Sequence, residues 1–253
     1  MKSPLQLKEN KLVCSSVLKR LIPRGSVVHC YPFLTGDAEL ELLHGGRFVV
    51  GHTSKYVVYE FWRCLMTSPS RVAAVVEHFA PLEEARIFYM MQRKWPEYKD
   101  PFMRSGLFYL LNYHSSSGLI SSGKFVKRPL SPTALMRLKN FNPPNFHVEF
   151  EQDEDFENIM SKVENDHYVL MNLGKYHFDI LEGGISTGYE EARISHKKAK
   201  AFFKNTDRKC ILVYHYHPRL LREYKGSNIT LVNHNAQIVT DTSKCREVII
   251  ANF

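Results

Sequence analysis

The stretch Ser26-Val-Val-His-Cys-Tyr31-Pro32-Phe33-Leu34-Thr35-Gly36-Asp37-Ala38-Glu-Leu-Glu-Leu-Leu43, followed by Gly45-Gly46-Arg47-Phe48-Val49-Val50, decides the fold. Ser26–Tyr31 is a short apolar run rich in β-branched residues and closed by Pro32, which reads as a buried strand. Pro32–Gly36 forms a glycine-containing loop. Ala38–Leu43 has helical character and stops at Gly45-Gly46. Arg47–Val50 is a second short strand. Strand, loop, helix and strand in this order make a βαβ unit, and hence an α/β sheet with parallel strands.

Working outward, residues 11–22 carry Leu12, Val13, Val17, Leu18 and Leu21 at helical spacing, and Pro23-Arg24-Gly25 ends that helix. Tyr56–Leu65 and Arg71–Phe79 read as helices. Residues 81–145 change character. Pro81–Arg93 and Pro101–Tyr113 read as helices, Ser115–Gly118 and Ser121–Gly123 as polar turns, and Pro143-Pro144 closes the segment. The α/β pattern then resumes, with strands at His147–Phe150, Tyr168–Met171 and Cys210–Tyr214 and helices at Phe156–Val163 and Ile194–Phe203. Thr230–Val232 and Glu247–Phe253 suggest a terminal hairpin. The expected organisation is an α/β domain from residues 1–80 and 146–253, interrupted by a mainly helical insertion at 81–145.

The 253 residues suffice to bury a core without staples, and 44% hydrophobic with 24% charged content is ordinary for a globular chain. The net charge of +8 favours a polyanionic partner, with plain solubility charge as the alternative. Two basic clusters stand out, Lys124–Arg128 in the insertion and Lys197, Lys198, Lys200, Lys204, Arg208 and Lys209 near the C-terminal third. The five cysteines (Cys14, Cys30, Cys64, Cys210, Cys245) have no CxxC spacing and read as free thiols of a reducing compartment. No apolar run reaches membrane-spanning length, and the first residues lack a signal-peptide core. The expectation is a cytoplasmic protein with no membrane partner. His215 and His217, in Tyr214-His-Tyr-His-Pro218, share one strand face but lack a nearby acidic or thiol partner, so no metal is expected there.

A second stretch bears on function. In Tyr168-Val-Leu-Met-Asn172-Leu173-Gly174-Lys175-Tyr176, an apolar strand reads as ending in a polar tight turn. Other pieces stand around it in order. Lys11 precedes the helix that ends Ile22-Pro23. Pro32-Phe33-Leu34-Thr35-Gly36-Asp37 comes after the first strand, and Gly51-His52-Thr53-Ser54-Lys55-Tyr56 after the second. Leu111-Asn112-Tyr113-His114 with Gly118-Leu119, then Gly123-Lys124-Phe125, lie in the insertion. Asp155-Phe156 opens a helix, and Arg246-Glu247-Val-Ile-Ile-Ala-Asn252-Phe253 closes the chain.

In this order and spacing, residues 9–253 resemble the Dam-like class of adenine-N6 DNA methyltransferases. The resemblance implies a Rossmann-like sheet of the S-adenosylmethionine-dependent methyltransferase type with a helical inserted target-recognition region. It implies cofactor-binding positions at Lys11, Pro32, Phe33, Gly36, Asp155 and Phe156. It places Asn172 where the adenine amino group would be held and Tyr176 as the aromatic available to stack on a flipped base. It puts Asn112, His114, Lys124, Lys127 and Arg128 on the DNA-facing side.

The chain also departs from the family pattern. Glu9-Asn10 stand where the family has two glycines before the lysine. Thr35 and Asp37 add side chains to the loop that approaches the cofactor, where glycine permits close backbone approach. Gly51 stands at the acidic position that holds ribose hydroxyls, and Asn172-Leu173-Gly174-Lys175 replaces Asp-Pro-Pro-Tyr. The expectation is a degenerate homologue without cofactor that binds DNA or supports a partner subunit. One alternative is a divergent, active enzyme using S-adenosylmethionine. The other is a structural or interaction protein, for example a phage or viral component, reusing the fold.

Overall fold

The computed structural model describes residues 2–7, 11–152, 156–176 and 195–253, without the side chains of 156 and 157. Its strands are β1 (Val27–Tyr31), β2 (Phe48–Thr53), β3 (Phe146–Phe150), β4 (Tyr168–Gly174), β5 (Lys209–His215), β6 (Asn228–Val232), β7 (Ile238–Val239) and β8 (Glu247–Ala251). Its helices are α1 (Ser15–Leu21), α2 (Asp37–His44), α3 (Tyr56–Thr67), α4 (Pro69–Phe79), α5 (Ala85–Lys94), α6 (Pro101–His114), α7 (Pro132–Lys139), α8 (Phe156–Ser161), α9 (His196–Asn205) and α10 (Pro218–Glu223). The protein is α/β, with one mixed sheet in the order β3-β2-β1-β4-β5-β8-β6-β7.

The β1–β5 strands are mutually parallel where they pair, and β8 runs antiparallel to both β5 and β6. The chain builds outward from β1 to β3, then crosses back to β4 and builds the other way. That reversal between β1 and β4 is the switch point at which α/β sheets open a crevice at their strand C-termini. All seven residues of β4 and all five of β8 are buried, as expected of strands covered on both faces. The outer half is barer: on one face of β2 and β3, Phe48, His147 and Glu149 are exposed.

Residues 81–145 contribute α5, α6 and α7. Asp100 caps α6 by accepting the Phe102 N–H, and Pro101 occupies its first turn. Residues 105–112 of α6 are all buried against α3 and α4. Gly106 permits that approach, since a Cβ there would lie 2.4 Å from Val75. Arg104 of α6 forks onto the buried Glu60 of α3, its Nε 2.7 Å from Oε2.

Several boundaries differ from the sequence expectation. β2 runs three residues further, through Gly51, His52 and Thr53. Tyr168–Met171 does not lead into a tight turn: β4 continues to Gly174, because Leu173 is fully buried and the ladder to β5 persists through a register shift between Asn172 and Gly174. Helix α1 starts only at Ser15, and the Glu247 carboxylate accepts the N–H groups of Val13 and Cys14 just before it. The terminal hairpin forms as β6 beside β8, while α7, α10 and β7 were not foreseen.

Candidate functional site

Three groups of side chains gather at the C-terminal ends of the parallel strands and beside them. The first is the loop after β1. The Phe33 N–H donates to the His52 carbonyl at 2.8 Å, and Trp62 Nε1–H donates to the Leu34 carbonyl at 2.9 Å. Gly36 has φ +73°, which glycine adopts without strain, and a Cβ there would meet the Trp62 ring at 3.2 Å. Phe33 is fully buried and packs against Trp62 and Phe146. Its ring also covers Gly51, where a Cβ would lie 2.5 Å from it. A carboxylate at position 51 therefore has no room.

An open groove of about 540 Å³ borders this loop, lined among others by Ser3, Gln6, Lys11, Asp37, Glu41 and Arg137. Burial pushes the Asp37 carboxyl up to about 6, against the opposing pull of Lys11. Glu39, buried on α2, is pushed up to about 7 by burial. Of the residues that the resemblance assigns to cofactor binding, Lys11 lines this groove, and Phe33 and Gly36 belong to the aromatic packing just described. Pro32, next to Phe33, is also buried. Asp155 and the side chain of Phe156 lie outside the described residues.

The second group sits at the end of β4 and β5. Asn172 is buried at the bulge, and Gly174 takes φ +57°. Tyr176 is half-buried, its ring 5.4 Å from His217 in a stacked arrangement, 5.5 Å from His196 and 6.1 Å from Tyr214. Lys175, Lys197 and Lys198 are exposed beside this aromatic cluster. The structure thus brings Tyr176 to the strand end that carries Asn172. It also gives His217 a role that the histidine-pair reading lacked, since its ring stacks on Tyr176 and its Nδ1 accepts the Arg219 N–H. The second basic cluster is partly spent on structure: Arg208 donates to the Val163 and Ser161 carbonyls, Lys200 pairs with Glu223, and Lys209 lies over the Tyr168 ring.

In the insertion, two expected DNA-facing residues are corrected by burial. Asn112 is fully buried, accepting the Gln6 N–H at 2.9 Å and donating to the Gln6 and Gly118 carbonyls at 2.7 Å. It clamps the N-terminal segment onto the insertion. His114 is also fully buried, 3.2 Å from the Val126 carbonyl and stacked on Phe125, and burial lowers its pKa. Neither side chain reaches a surface that nucleic acid could touch. Lys124 and Lys127 are exposed, whereas Arg128 is half-buried, donating to the Ser115 carbonyl and lying over Tyr113.

The third group was missed in the sequence. His52 at the end of β2 is buried, and its Nδ1 lies 2.7 Å from Glu151 Oε1. Its Nε2 meets His29 Nδ1 at 2.8 Å, and His29 Nε2 meets His167 Nδ1 at 3.2 Å. The three rings stack at 5.1 and 5.3 Å across β1, β2 and the start of β4. His167 Nε2 ends the ladder 3.6 Å from Glu164. Burial, then the charges of His52 and His167, lower the His29 pKa to about 4, so the middle ring is neutral at pH 7. The available signal was polar residues inside short apolar strands, His29 and His52, and the Glu149-x-Glu151 spacing; the register that joins them was not legible.

No family model matches the chain, and no curated protein matches it either.

Proposed function

We propose that the chain is a catalytically degenerate relative of the adenine-N6 DNA methyltransferases that binds DNA or supports a partner subunit. The strand order supports the kinship: a parallel sheet with a switch point between β1 and β4, and with β8 antiparallel between β5 and β6, is compatible with the Rossmann-like sheet that the resemblance implies. The helices of residues 81–145 enter between α4 and β3, where that class carries its target-recognition region.

The observation that carries the loss of chemistry is the Phe33 ring against Gly51. The end of β2 offers no carboxylate to ribose hydroxyls, and the side chain it does present, His52, is engaged with Glu151 and His29. Asp37 adds an acidic group where the family keeps glycine. These residues do not fit the cofactor. Support for a DNA partner comes from the charge of +8 and from the exposed Lys124, Lys127, Lys175, Lys197 and Lys198, the last three beside an aromatic cluster of the kind that stacks on bases.

The test is calorimetric titration of the protein with S-adenosylmethionine and S-adenosylhomocysteine, and then with duplex and single-stranded DNA at about 50 and about 200 mM salt. The expected result is no heat with either cofactor and DNA binding that weakens steeply with salt. Micromolar cofactor binding would overturn the degenerate reading, and no DNA retention at low salt would leave only the protein-partner version.

One observation favours a second reading, an active and divergent enzyme. Tyr176 stands at the strand end of Asn172 with a polar, aromatic surround. Methyl incorporation into adenine that vanishes in Asn172→Ala would establish it.

A further inference from the structure

We propose that the ends of β2 and β3 bind a divalent first-row transition-metal ion through His52 Nδ1, Glu149 and Glu151. The register puts His52 directly opposite Glu149 on the neighbouring strand, so both side chains share one face of the sheet. Glu151 lies two residues on, returns to the same face, and is held by its N–H donating to the Thr53 carbonyl at 2.9 Å. His52 Nδ1 is 2.7 Å from Glu151 and 3.5 Å from Glu149, and the three ligand atoms all lie within 4.8 Å of one another. An ion about 2.0–2.2 Å from each nitrogen or oxygen needs ligand atoms spaced on the order of 3.3 Å, so side-chain rotation alone closes the site. The His52 side chain is 5% exposed and Glu149 47%, which gives a fixed imidazole on the inner side and an opening for water on the outer.

The histidine ladder is the independent observation. A ligating imidazole is oriented by a partner on its other nitrogen. His52 has one, His29, which in turn has His167. With His52 Nδ1–H donating to Glu151, the 2.8 and 3.2 Å contacts are met by His29 Nδ1–H donating to His52 and His167 Nδ1–H donating to His29. With an ion on His52 Nδ1, the proton moves to Nε2 and donates to His29. His29 Nε2–H then donates to His167, and His167 Nε2–H faces Glu164. The same contacts can thus run in either direction through the three rings, and a carboxylate stands at each end, Glu151 beside His52 and Glu164 beside His167. One imidazole with two carboxylates suits zinc, manganese or ferrous iron better than calcium or magnesium, which take oxygen ligands alone.

The test uses the tag-free protein titrated with zinc, with magnesium as control, and cobalt as the spectroscopic probe. Zinc is expected to bind at one site per chain. Affinity should fall about 10–100-fold in Glu151→Gln and in His29→Asn, and stay unchanged in Glu77→Gln, a distant exposed carboxylate. Glu149→Gln, at an exposed position, serves as the ligand variant should a buried substitution prevent folding. Nitrogen-15 imidazole spectra should show His29 and His167 changing from the Nδ1–H to the Nε2–H tautomer on zinc addition. Absence of saturable zinc binding, unchanged affinity in Glu149→Gln together with Glu151→Gln, unmoved tautomers, or a thiolate charge-transfer band with cobalt would each overturn the proposal.

Discussion

Phe33 covers Gly51 so closely that a Cβ on the glycine would sit 2.5 Å from the ring. Gly51→Asp should therefore destabilise the protein by about 1–3 kcal/mol through overpacking. Phe33→Ala opens the space at a cost of its own, and the double variant should be less destabilised than the sum of the two. Urea unfolding of the three variants measures the coupling, and strict additivity would show that ring and glycine do not compete for one volume.

Glu247, fully buried at the start of β8, accepts the Val13 N–H at 2.9 and 3.0 Å and the Cys14 N–H at 2.9 Å. It thereby ties the chain's last strand to its first helix. Glu247→Gln replaces one acceptor oxygen with a donor and weakens charge-assisted bonds, which should cost about 1–3 kcal/mol. Hydrogen exchange at the Val13 and Cys14 amides should accelerate in the variant before the amides of β4 respond.

Asn112→Ala removes the three hydrogen bonds that hold Gln6 and Gly118. The loss should be at least about 2 kcal/mol, since backbone groups are left unmatched. Limited proteolysis should cut near residues 3–7 in the variant first. DNA affinity measured on the folded fraction should be unchanged, as expected of a buried clamp; a specific loss of DNA binding would return Asn112 to the interface.

Glu39 titrates at about 7 in the folded protein, against an ordinary value of 4.5, because burial disfavours its charge and Asp37 nearby adds repulsion. A carboxyl raised in this way binds more protons folded than unfolded. Its contribution is fully present below the unfolded pKa and is lost as pH rises towards 7. Glu39→Gln should gain stability over wild type on going from pH 5 to pH 8, by on the order of 3 kcal/mol. His29 works in the opposite sense: its lowered pKa costs stability as pH falls from about 6.5 to about 4. The difference between variant and wild type at each pH isolates Glu39, and equal denaturation midpoints at both pH values would contradict its burial as a neutral acid.

The legible part of the fold is the local part. Val27–Tyr31 and Cys210–Tyr214 announce buried strands because a continuous apolar run is a property of the segment itself. The helices at Tyr56–Thr67 and Pro101–His114 are visible for the same reason, through apolar spacing and, in the second, a proline in the first turn. The error at Asn172-Leu173-Gly174 is equally physical. A polar residue and a glycine look like a turn, but a bulge against β5 absorbs them within a buried strand. The family resemblance alone places Asn112 and His114 on the DNA-facing side, and the residues that bury them, Gln6, Gly118 and Phe125, come from elsewhere in the chain.

By itself the sequence determined the order and type of most elements, the α/β class and the basic balance, since these rest on periodicity, chain-breaking residues and charge count. Only the tertiary structure decided that β8 inserts between β5 and β6, that Glu247 reaches Val13, that Phe33 fills the space above Gly51, and that His29, His52 and His167 form one ladder. Each of these joins residues far apart in the chain. Such contacts depend on strand order and on a register in which one residue of slip turns a side chain to the opposite face, and no local pattern encodes either.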